Sequence, residues 1–390
     1  MEIDAKNYVI RAHDDPAAID ATAWNALLES QDAPTPFLRH EYLCAMHRSR
    51  SAVIDTGWAP AWLTIEQRGT LVAGCALYLK AHSYGEYVFD WAWADAYQRH
   101  GLAYYPKLLG AVPFTPVPGS RLLASNDTVR DLLLQAMLAF VRQQGLSSAH
   151  LLFLSDADRA ACERAGWMLR EGVQFHWQNR EPTAYADFDE FARSLQREKR
   201  KKITQERRRV VDAGVRYVLL EGLQIDPGSW DFFYRCYTLT YRAHHSTPYL
   251  TRSFFAEMAC TMPAHWLMVV AQRGNERIAT SLIALDPARR VAYGRYWGAV
   301  EHVPCLHFDA CYYQPLAWCI AQGYRRFEGG AQGEHKMARG LLPVKTVSAH
   351  WLADARFASA VGDFLQREGA GVGAYVDELN ERNPFRVGPD

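Results

Sequence analysis

The feature that most constrains the fold is an order of sequence patterns that occurs twice. Residues 61–83 read as two strands around a turn at Gly69, followed by a ring-bearing segment, a helix and the strand "AHLLFL". Residues 265–285 read as two strands around a turn at Gly274, followed by the strand "VAYGRYWGA", a helix and the strand "RRFEGG". The turns lie 205 residues apart, and few residue identities repeat. The pattern predicts two domains built on one plan.

The length and the charge agree with this plan. A chain of 390 residues exceeds what one hydrophobic core usually organises. We expect an α/β (α+β) protein with domains at 1–180 and 181–390, each a mixed, largely antiparallel sheet flanked by helices. The 43 basic and 43 acidic residues cancel, so any affinity for polyanions must come from a local patch.

The segment "EYVFDWAWAD" (86–95) carries rings at alternate positions, which predicts a strand with Tyr87, Phe89, Trp91 and Trp93 on one face. Such rings either fill the core or line a cleft, and we expect them to be mostly core. Polar and aromatic groups surround this segment, which favours a pocket for an amphipathic ligand around the edge of the rings. The candidate substrate-binding residues here are His82, Tyr84, Glu86, Asp90 and Trp93.

Capping residues and glycines predict the ends of two further helices. Asp127 is predicted to cap a helix that ends at Gly145, and Asp309 to cap one that ends at Gly323. Between the halves, "DFDEFARSLQREKRKKITQERRRVVDAG" predicts one long helix, in which residues 197–209 hold eight Lys or Arg against two Glu. This basic run is either a solvated helix face or an anion-binding ridge. The candidate phosphate or tRNA contacts are Lys199, Arg200, Lys202 and Arg207.

The glycine-rich loop "GGAQGEHKMARG" (329–340) follows a predicted strand, so its charged groups should lie at a sheet end, where ligands commonly bind. The alternative is a solvent-exposed polar loop. Near the start of the preceding helix, "CLHFDACYYQ" adds polar groups that are either core residues or ligand contacts. The candidates of this half are Glu334, His335, Lys336, Arg339, His307, Tyr312 and Gln314, together with Arg295, which we expect on one strand face with Tyr293 and Trp297.

Other classes of function lack sequence support. The eight cysteines include no CxxC pair and no zinc-like spacing, so we predict no metal site and no permanently bound cofactor. No signal peptide is visible, and the longest mostly apolar stretch, "LLLQAMLAFV", is too short to span a bilayer. We therefore expect a cytoplasmic protein without a membrane span.

Several of these motifs together resemble the Fem family of aminoacyltransferases, which are tandem GNAT-like proteins. The resemblance rests on "KKITQERRRVVDAGVRYV", "DFFYRCYTLTYRAH", the strand pair around Gly274 and "GLLPVK". "KAHSYGEYVFDWAWADAYQRHGLAYYPKLLGAVPFTPVPG" and "FEGGAQGEHKMARGLLPVKTVSAHW" are similar to the FemAB-like branch of bacterial N-acyltransferases. The resemblance implies two tandem GNAT-like domains and aminoacyl transfer to a peptide or small-molecule amine, linked to peptidoglycan precursors, with aminoacyl-tRNA as donor and tRNA as a partner.

The resemblance assigns a role to Lys345, and the residues of the glycine-rich loop suggest one for His335. Lys345 matches the Fem lysine close to the reacting carbonyl, where an ammonium would stabilise the developing oxyanion; the alternative is a lysine that only protects a strand edge. His335 is the candidate base that accepts the proton of the amine, with Glu334 orienting it or substituting for it. Val344 stands where Fem proteins commonly have Phe, and no long helical-hairpin arm is visible.

Two alternatives to tRNA-dependent transfer stay open. An acyl-CoA could be the donor, although the loop "GAVEHVPCLHFD" lacks the Q/R-x-x-G-x-G/A pattern that holds the pyrophosphate of acetyl-CoA in ordinary GNAT enzymes. The other alternative is a catalytically silent module that binds a cell-wall precursor or a peptide.

Overall fold

The computed structural model describes residues 7–330 and 333–386 of the chain. The chain divides into two compact units: the first comprises Met1–Gly172 and Lys345–Ala374, and the second comprises Val173–Val344 and Tyr375–Asp390. The chain therefore passes between the units inside two strands and the last helix. The predicted domains, 1–180 and 181–390, divide the chain at a single point, and that division stays a prediction. Residues 1–6, 331–332 and 387–390 lie outside the described residues.

In the part of the first unit that the structure describes, eight strands precede the point where the chain leaves it. They are β1 (Tyr8–His13), β2 (Trp58–Pro60), β3 (Trp62–Gln67), β4 (Thr70–Cys75), β5 (Leu77–Lys80), β6 (Lys107–Gly110), β7 (Leu123–Ala124) and β8 (Ser148–Leu151). Its helices are α1 (Ala21–Glu29), α2 (His40–Arg48), α3 (Trp91–Arg99), α4 (Asp127–Gln143) and α5 (Asp156–Arg164), with 3-10 turns at Pro16–Ala18, Pro36–Leu38 and Ile54–Thr56. Strand β9 (Met168–Gln178) leads out of it.

Two sheets organise the first unit. One has the order β1-β3-β4-β7 and is antiparallel throughout. The predicted turn joins β3 to β4, and both of its residues, Arg68 and Gly69, have positive φ, as the tight hairpin turn requires. In the other sheet, β5 pairs antiparallel with β2 on one side and with β6 on the other, and β6 pairs parallel with β8. Leucines and other apolar side chains of both sheets pack against α4 to form the core.

The predicted ring-bearing strand at 86–95 is wrong, because residues 86–90 form no regular element and helix α3 begins at Trp91. Trp93 and Tyr97, four residues apart, share its buried face. Tyr87 has a φ of 63°, which interrupts an extended chain just before the helix. The reading of the rings as mostly core is also wrong, since Phe89 and Trp91 are exposed.

The second unit contains the remaining elements. Its helices are α6 (Phe188–Ser194), α7 (Arg197–Asp212), α8 (Pro227–Ala243), α9 (Arg252–Thr261), α10 (Leu306–Phe308) and α11 (Gln314–Ala321), with a π-helical turn at Asp309–Tyr313 and 3-10 turns at Gly222–Gln224, Pro263–His265 and Glu334–Arg339. Its strands are β10 (Val215–Glu221), β11 (Trp266–Arg273), β12 (Glu276–Asp286), β13 (Val291–Ala299) and β14 (Arg326–Glu328). Strand β15 (Leu342–Leu352) returns the chain to the first unit, and α12 (Ala355–Glu381) ends in the second.

The sheet of the second unit has the order β10-β11-β12-β13-β14-β9 and is antiparallel except where β13 pairs with β14. That parallel pairing covers only the first three residues of β13, so the rest of β13 runs on beyond β14. A bulge lies between Gly294 and Tyr296 in the pairing with β12. Because a bulge reverses the alternation of faces, Tyr293 and Trp297 lie on opposite faces, and the prediction of one shared face is wrong.

Three helix predictions need correction. Asn126, and not Asp127, caps α4, since its side chain accepts a hydrogen bond from the N–H of Val129 at 3.0 Å. The basic stretch is divided into α6 and α7 by an extended Leu195. The helical stretch that ends near Gly323 begins after Cys305, and Asp309 lies inside its π-helical turn instead of capping it.

The predicted α/β (α+β) class is confirmed, since each unit combines mixed, largely antiparallel sheets with flanking helices. Among the described residues, no helix is both long enough and apolar enough to cross a membrane.

Candidate functional site

A cleft of about 770 Å³ opens in the second unit at the end of β13. It is formed by residues of the ranges 239–244 and 297–308, which are the end of α8, the end of β13 and the loop into α10. Trp297, His307 and Phe308 line it with rings, and the Trp297 and His307 rings meet edge to face at 5.4 Å. A pocket of this size, mostly apolar with a few polar groups, suits a small ligand or the end of a larger one.

Two predicted residues meet beside this cleft. The hydroxyl of Tyr312 lies 3.3 Å from Nε2 of His335, and the ring of His335 is 5.9 Å from that of Phe308. Burial lowers the pKa of His335, and the positive charges of Arg339, Lys336 and Lys202 lower it further. Burial also lowers the pKa of His307 to about 4. Both imidazoles are therefore neutral at pH 7, which is the form that accepts a proton.

Arg339 fixes the turn that carries His335. The side chain of Arg339 is buried, its Nη2 is 3.0 and 2.9 Å from the two carboxylate oxygens of Glu206, and its Nη1 donates to the carbonyl of His335 at 2.6 Å. Its guanidinium also lies 3.6 Å over the ring of Phe308. Tyr313 donates to the same Glu206 carboxylate. We therefore assign Arg339 to positioning, whereas the sequence suggested substrate binding.

Helix α7 is more than a solvated ridge. Ile203, Glu206 and Val210 are buried at helical spacing, so one face of the helix packs into the second unit. Glu206 ties this face to Arg339, and Lys202 is near enough to lower the pKa of His335. The exposed face of α7 therefore presents cations next to the 3-10 turn that carries His335.

The four predicted cations of α7 differ in their surroundings. Lys202 is exposed, and Lys199 and Arg200 are partly exposed. Arg207 Nε lies 4.0 Å from Oδ1 of buried Asp309, and its guanidinium covers the ring of Phe188 at 4.7 Å. Arg207 thus takes part in the packing of the second unit.

The other candidates of this unit are held by internal contacts. Gln314 donates to Asp309 at 3.1 Å, and buried Lys336 donates to the carbonyl of Gly330 at 2.9 Å. Burial lowers the pKa of Lys336 to about 8, so a fraction of it is neutral near pH 7. The guanidinium of Arg295, in the bulge of β13, lies 5.1 Å from the ring of Tyr296. Ala331 and Gln332 of the glycine-rich loop lie outside the described residues.

Glu334 and Lys345 make contacts that the sequence did not suggest. Glu334 accepts a hydrogen bond from Tyr375 at 2.7 Å and lies 3.5 Å from Nη1 of Arg382, so the C-terminal segment holds its carboxylate. Lys345 belongs to the first unit, where its half-exposed ammonium pairs with Glu171 at 3.1 Å. Its predicted strand is confirmed as β15.

The remaining predicted residues lie in the first unit, around a buried lysine. Lys107 donates to Glu86 and to Ser83, each at 2.8 Å, and also to Asp90. Burial raises the pKa of Glu86 to about 7. Asp90 shifts the other way: burial opposes its ionisation, but the Lys107 ammonium, His150 and the hydrogen bonds from Lys107 and Ser83 together outweigh burial and lower the pKa of Asp90.

The chain segment that carries Glu86 and Asp90 also holds a cluster of aromatic rings. Tyr84 is 58% exposed, and its ring contacts those of His82 and Trp91 at 5.3 and 5.0 Å. Trp93 points inward and packs edge to face on His350 at 4.9 Å. The structure therefore brings Glu86 and Asp90 together on Lys107, while His82 and Tyr84 lie at the surface and Trp93 lies in the core.

Sequence reasoning missed Glu206 and Lys107, which organise the two groups, and a histidine pair formed by His150 and His350. A signal for the pair exists in the tripeptide Ser-Ala-His, which occurs at 148–150 and again at 348–350. Among the described residues, no group of three or more His, Cys, Asp or Glu side chains is arranged to hold a metal ion.

Comparison with known proteins places this fold. The crystal structure of FemX aligns with a TM-score of 0.55 at 10% identity and covers 88% of this chain and 98% of its own. That of L-PGS from Bacillus licheniformis aligns with a TM-score of 0.52 at 10% identity and covers 92% of this chain and 99% of its own. At such identities the alignments establish the fold alone. No curated protein sequence matches the chain significantly.

The comparison with family models identifies the family as well as the fold. The FemAB-like family model, described as peptidoglycan biosynthesis/recognition, matches residues 15–387. This match confirms the resemblance read from the sequence, the tandem GNAT-like fold and the assignment as an aminoacyltransferase-like enzyme linked to peptidoglycan precursors. The chain belongs to the FemAB-like family.

Proposed function

We propose that the protein transfers an aminoacyl group from aminoacyl-tRNA to the amine of a peptide or small-molecule acceptor from cell-wall precursor metabolism, in the cytoplasm. The observation that carries this proposal is the neutral imidazole of His335, 3.3 Å from the hydroxyl of Tyr312 and beside a cleft of about 770 Å³. A base, a polar partner for it and a sheltered cleft are what acyl transfer to an amine requires.

In this mechanism the acceptor nitrogen attacks the ester carbonyl carbon of the donor. A carbon–nitrogen bond forms, the ester carbon–oxygen bond breaks, and the ribose hydroxyl of the tRNA leaves with a proton. His335 takes the proton that the amine loses. Tyr312 steadies the ring of His335, and Arg339 holds the backbone carbonyl of His335 in place. The oxyanion role that the family resemblance implies for Lys345, a residue of the first unit, stays a prediction.

The cations of α7 support tRNA as the donor. Lys202 and its neighbours lie on the exposed face of the helix whose buried face carries Glu206, the partner of Arg339. A phosphate backbone bound there would approach the turn of His335, and its affinity would depend steeply on salt. The acyl-CoA alternative has no comparable glycine-rich pyrophosphate loop in this sequence.

A ligand panel tests the proposal. Purified protein is mixed with charged tRNA, uncharged tRNA, CoA esters and muropeptides, its thermal stability is measured, and each stabilising ligand enters a transfer assay. We expect stabilisation by charged tRNA and by an amine-bearing muropeptide, followed by turnover. Binding of a muropeptide without turnover on any donor would identify a binding module instead. Turnover with CoA esters alone would replace the donor.

A further inference from the structure

A second group of titratable side chains is buried in the first unit and plays no part in the proposed transfer. His150 on β8 and His350 on β15 are direct cross-strand partners, so their rings point to the same face of the sheet. Their Nδ1 atoms are 2.8 Å apart, and both residues are almost fully buried, at 1% and 2% exposure. At this distance one Nδ1 carries the proton and the other accepts it, so the pair needs at least one neutral ring.

The surroundings of the pair disfavour added positive charge. Burial, together with the ammonium of Lys107, holds the pKa of His150 well below its ordinary value. Burial, together with the guanidinium of Arg170, lowers the pKa of His350 to about 3. Arg170 is itself paired with Glu368 at 2.8 Å, while the carboxylate of Asp90 favours protonation of the two rings.

One chain segment, residues 81–106, closes over this pair. It connects β5 to β6, and its two inward rings lie on the imidazoles: Trp93 against His350 at 4.9 Å, and the Tyr104 hydroxyl 3.3 Å from Nε2 of His150. The Tyr104 hydroxyl also donates to Asp90 at 2.6 Å, which links the histidines to the Lys107 group. The outer side of the segment presents Tyr84 and other exposed rings.

We propose that His150 and His350 form an acid-sensitive latch: the neutral pair holds the 81–106 segment closed, and protonation of the pair releases it. Two imidazolium rings would place N–H against N–H at 2.8 Å, next to the Lys107 ammonium and the Arg170 guanidinium. Release relieves this repulsion by admitting water to the rings. The segment carries the candidate ligand contacts His82 and Tyr84, so opening would remove them from their closed positions.

The net number of protons taken up on opening sets how steeply the opening constant depends on pH. Between about pH 6 and 5, both histidines take up a proton when the segment opens, since their pKa values return toward 6.5. Glu86 loses one, since its pKa returns from about 7 toward 4.5. Lys107 and Asp90 stay charged in both states, and Lys80, whose pKa burial lowers to about 7, is largely protonated in both. A net uptake of one proton makes the opening constant rise about 10-fold per pH unit of acidification.

The test is amide hydrogen exchange of peptides from 81–106, measured by mass spectrometry on the full chain between pH 7.5 and 5 and corrected for intrinsic exchange rates. We expect the opening constant to rise about 10-fold per pH unit below about pH 6 in wild-type protein and in His100→Asn, a matched control that changes an exposed histidine of the same segment. In His350→Asn, the proton that His150 takes up on opening offsets the proton that Glu86 loses. The opening constant of this variant should therefore be nearly independent of pH. Wild-type protection that does not change with pH, or an unchanged pH dependence in His350→Asn, would overturn the latch.

A second measurement covers the case in which His350→Asn does not fold. Exchange of the imidazole C2 hydrogens in wild-type protein reports the pKa of each histidine separately. The latch predicts values below 6.5 for both His150 and His350, with slow exchange at neutral pH. A value of 6.5 or above for either ring would show that the closed pair tolerates charge, and the proposal would fail.

Discussion

The ion pair between Arg339 and Glu206 should be the main anchor of the turn that carries His335. Glu206→Gln keeps the size of the side chain and a hydrogen-bond acceptor for Tyr313 but removes the negative charge. Arg339, at 2% exposure, would then hold a buried guanidinium without a counter-charge, because its other polar contact is the carbonyl of His335. Breaking one side of a buried pair costs about 3–5 kcal/mol.

The assay is urea denaturation followed by circular dichroism, with hydrogen exchange of the 334–341 peptides to locate the destabilised region. The matched control is Asp212→Asn on the same helix, which breaks the exposed pair with Arg208 at 3.5 Å. An exposed pair of this kind contributes less than about 0.5 kcal/mol. We expect Glu206→Gln to lower the free energy of unfolding by several kcal/mol more than Asp212→Asn and to expose 334–341 to exchange.

The double variant Glu206→Gln, Arg339→Met sharpens the test. Removing both charges leaves no unpaired ion, so the double variant should be more stable than the sum of the single changes predicts. If Glu206→Gln costs no more than Asp212→Asn and 334–341 stays protected, the pair does not anchor the turn.

Three further predictions concern turnover and tRNA binding. His335→Ala should lower turnover by roughly 10²-fold, the usual scale of general-base catalysis, while the control His100→Ala should leave the rate unchanged. Wild-type turnover and pH dependence in His335→Ala would remove this residue from the mechanism. Lys345→Met should sharply lower turnover with little effect on stability, whereas Glu171→Gln, which breaks the same exposed ion pair but keeps the ammonium, should leave turnover intact; equal rates in both variants would reduce Lys345 to an edge residue. Reversing the charges of Lys199, Arg200 and Lys202 should weaken tRNA binding and reduce the slope of log affinity against log salt concentration by roughly 0.7–0.9 for each phosphate that the helix no longer binds. Arg142 and Arg235 are reversed as the control, and Arg207 is tested separately because it pairs with Asp309. Unchanged affinity and slope would make the helix face a solvated surface.

Local chemistry explains which elements were predictable. The hairpins at Gly69 and Gly274 follow from turn residues between alternating apolar runs, and both are found. Helix α4 and the strands β13 and β14 carry equally local signals. The α3 segment does not, because Trp93 and Tyr97 satisfy a helical spacing while the preceding rings satisfy a strand spacing. The packing of Trp93 against His350, far away in the sequence, is not visible in either pattern.

The site was predictable to a similar degree. The glycine-rich loop and the "CLHFDACYYQ" stretch identified His335 and Tyr312, whose side chains the structure brings to 3.3 Å. Their support could not be read from the sequence, since Glu206 looks like an ordinary acid in a basic helix and its partner Arg339 lies 133 positions later. Lys107 was hidden in the same way, because its carboxylate partners come from a connection that only folding brings over it.

The most direct test of the account is transfer itself, followed by the mass of the product. Wild-type protein and His335→Ala are incubated with an amine-bearing muropeptide and a mixture of charged tRNAs, with a parallel sample treated with ribonuclease. The account predicts a muropeptide heavier by one aminoacyl residue, formed by wild-type protein, greatly slowed in His335→Ala and absent after ribonuclease treatment. A muropeptide that binds but never gains mass would contradict it. A product that forms at the same rate after ribonuclease treatment and in His335→Ala would contradict it too.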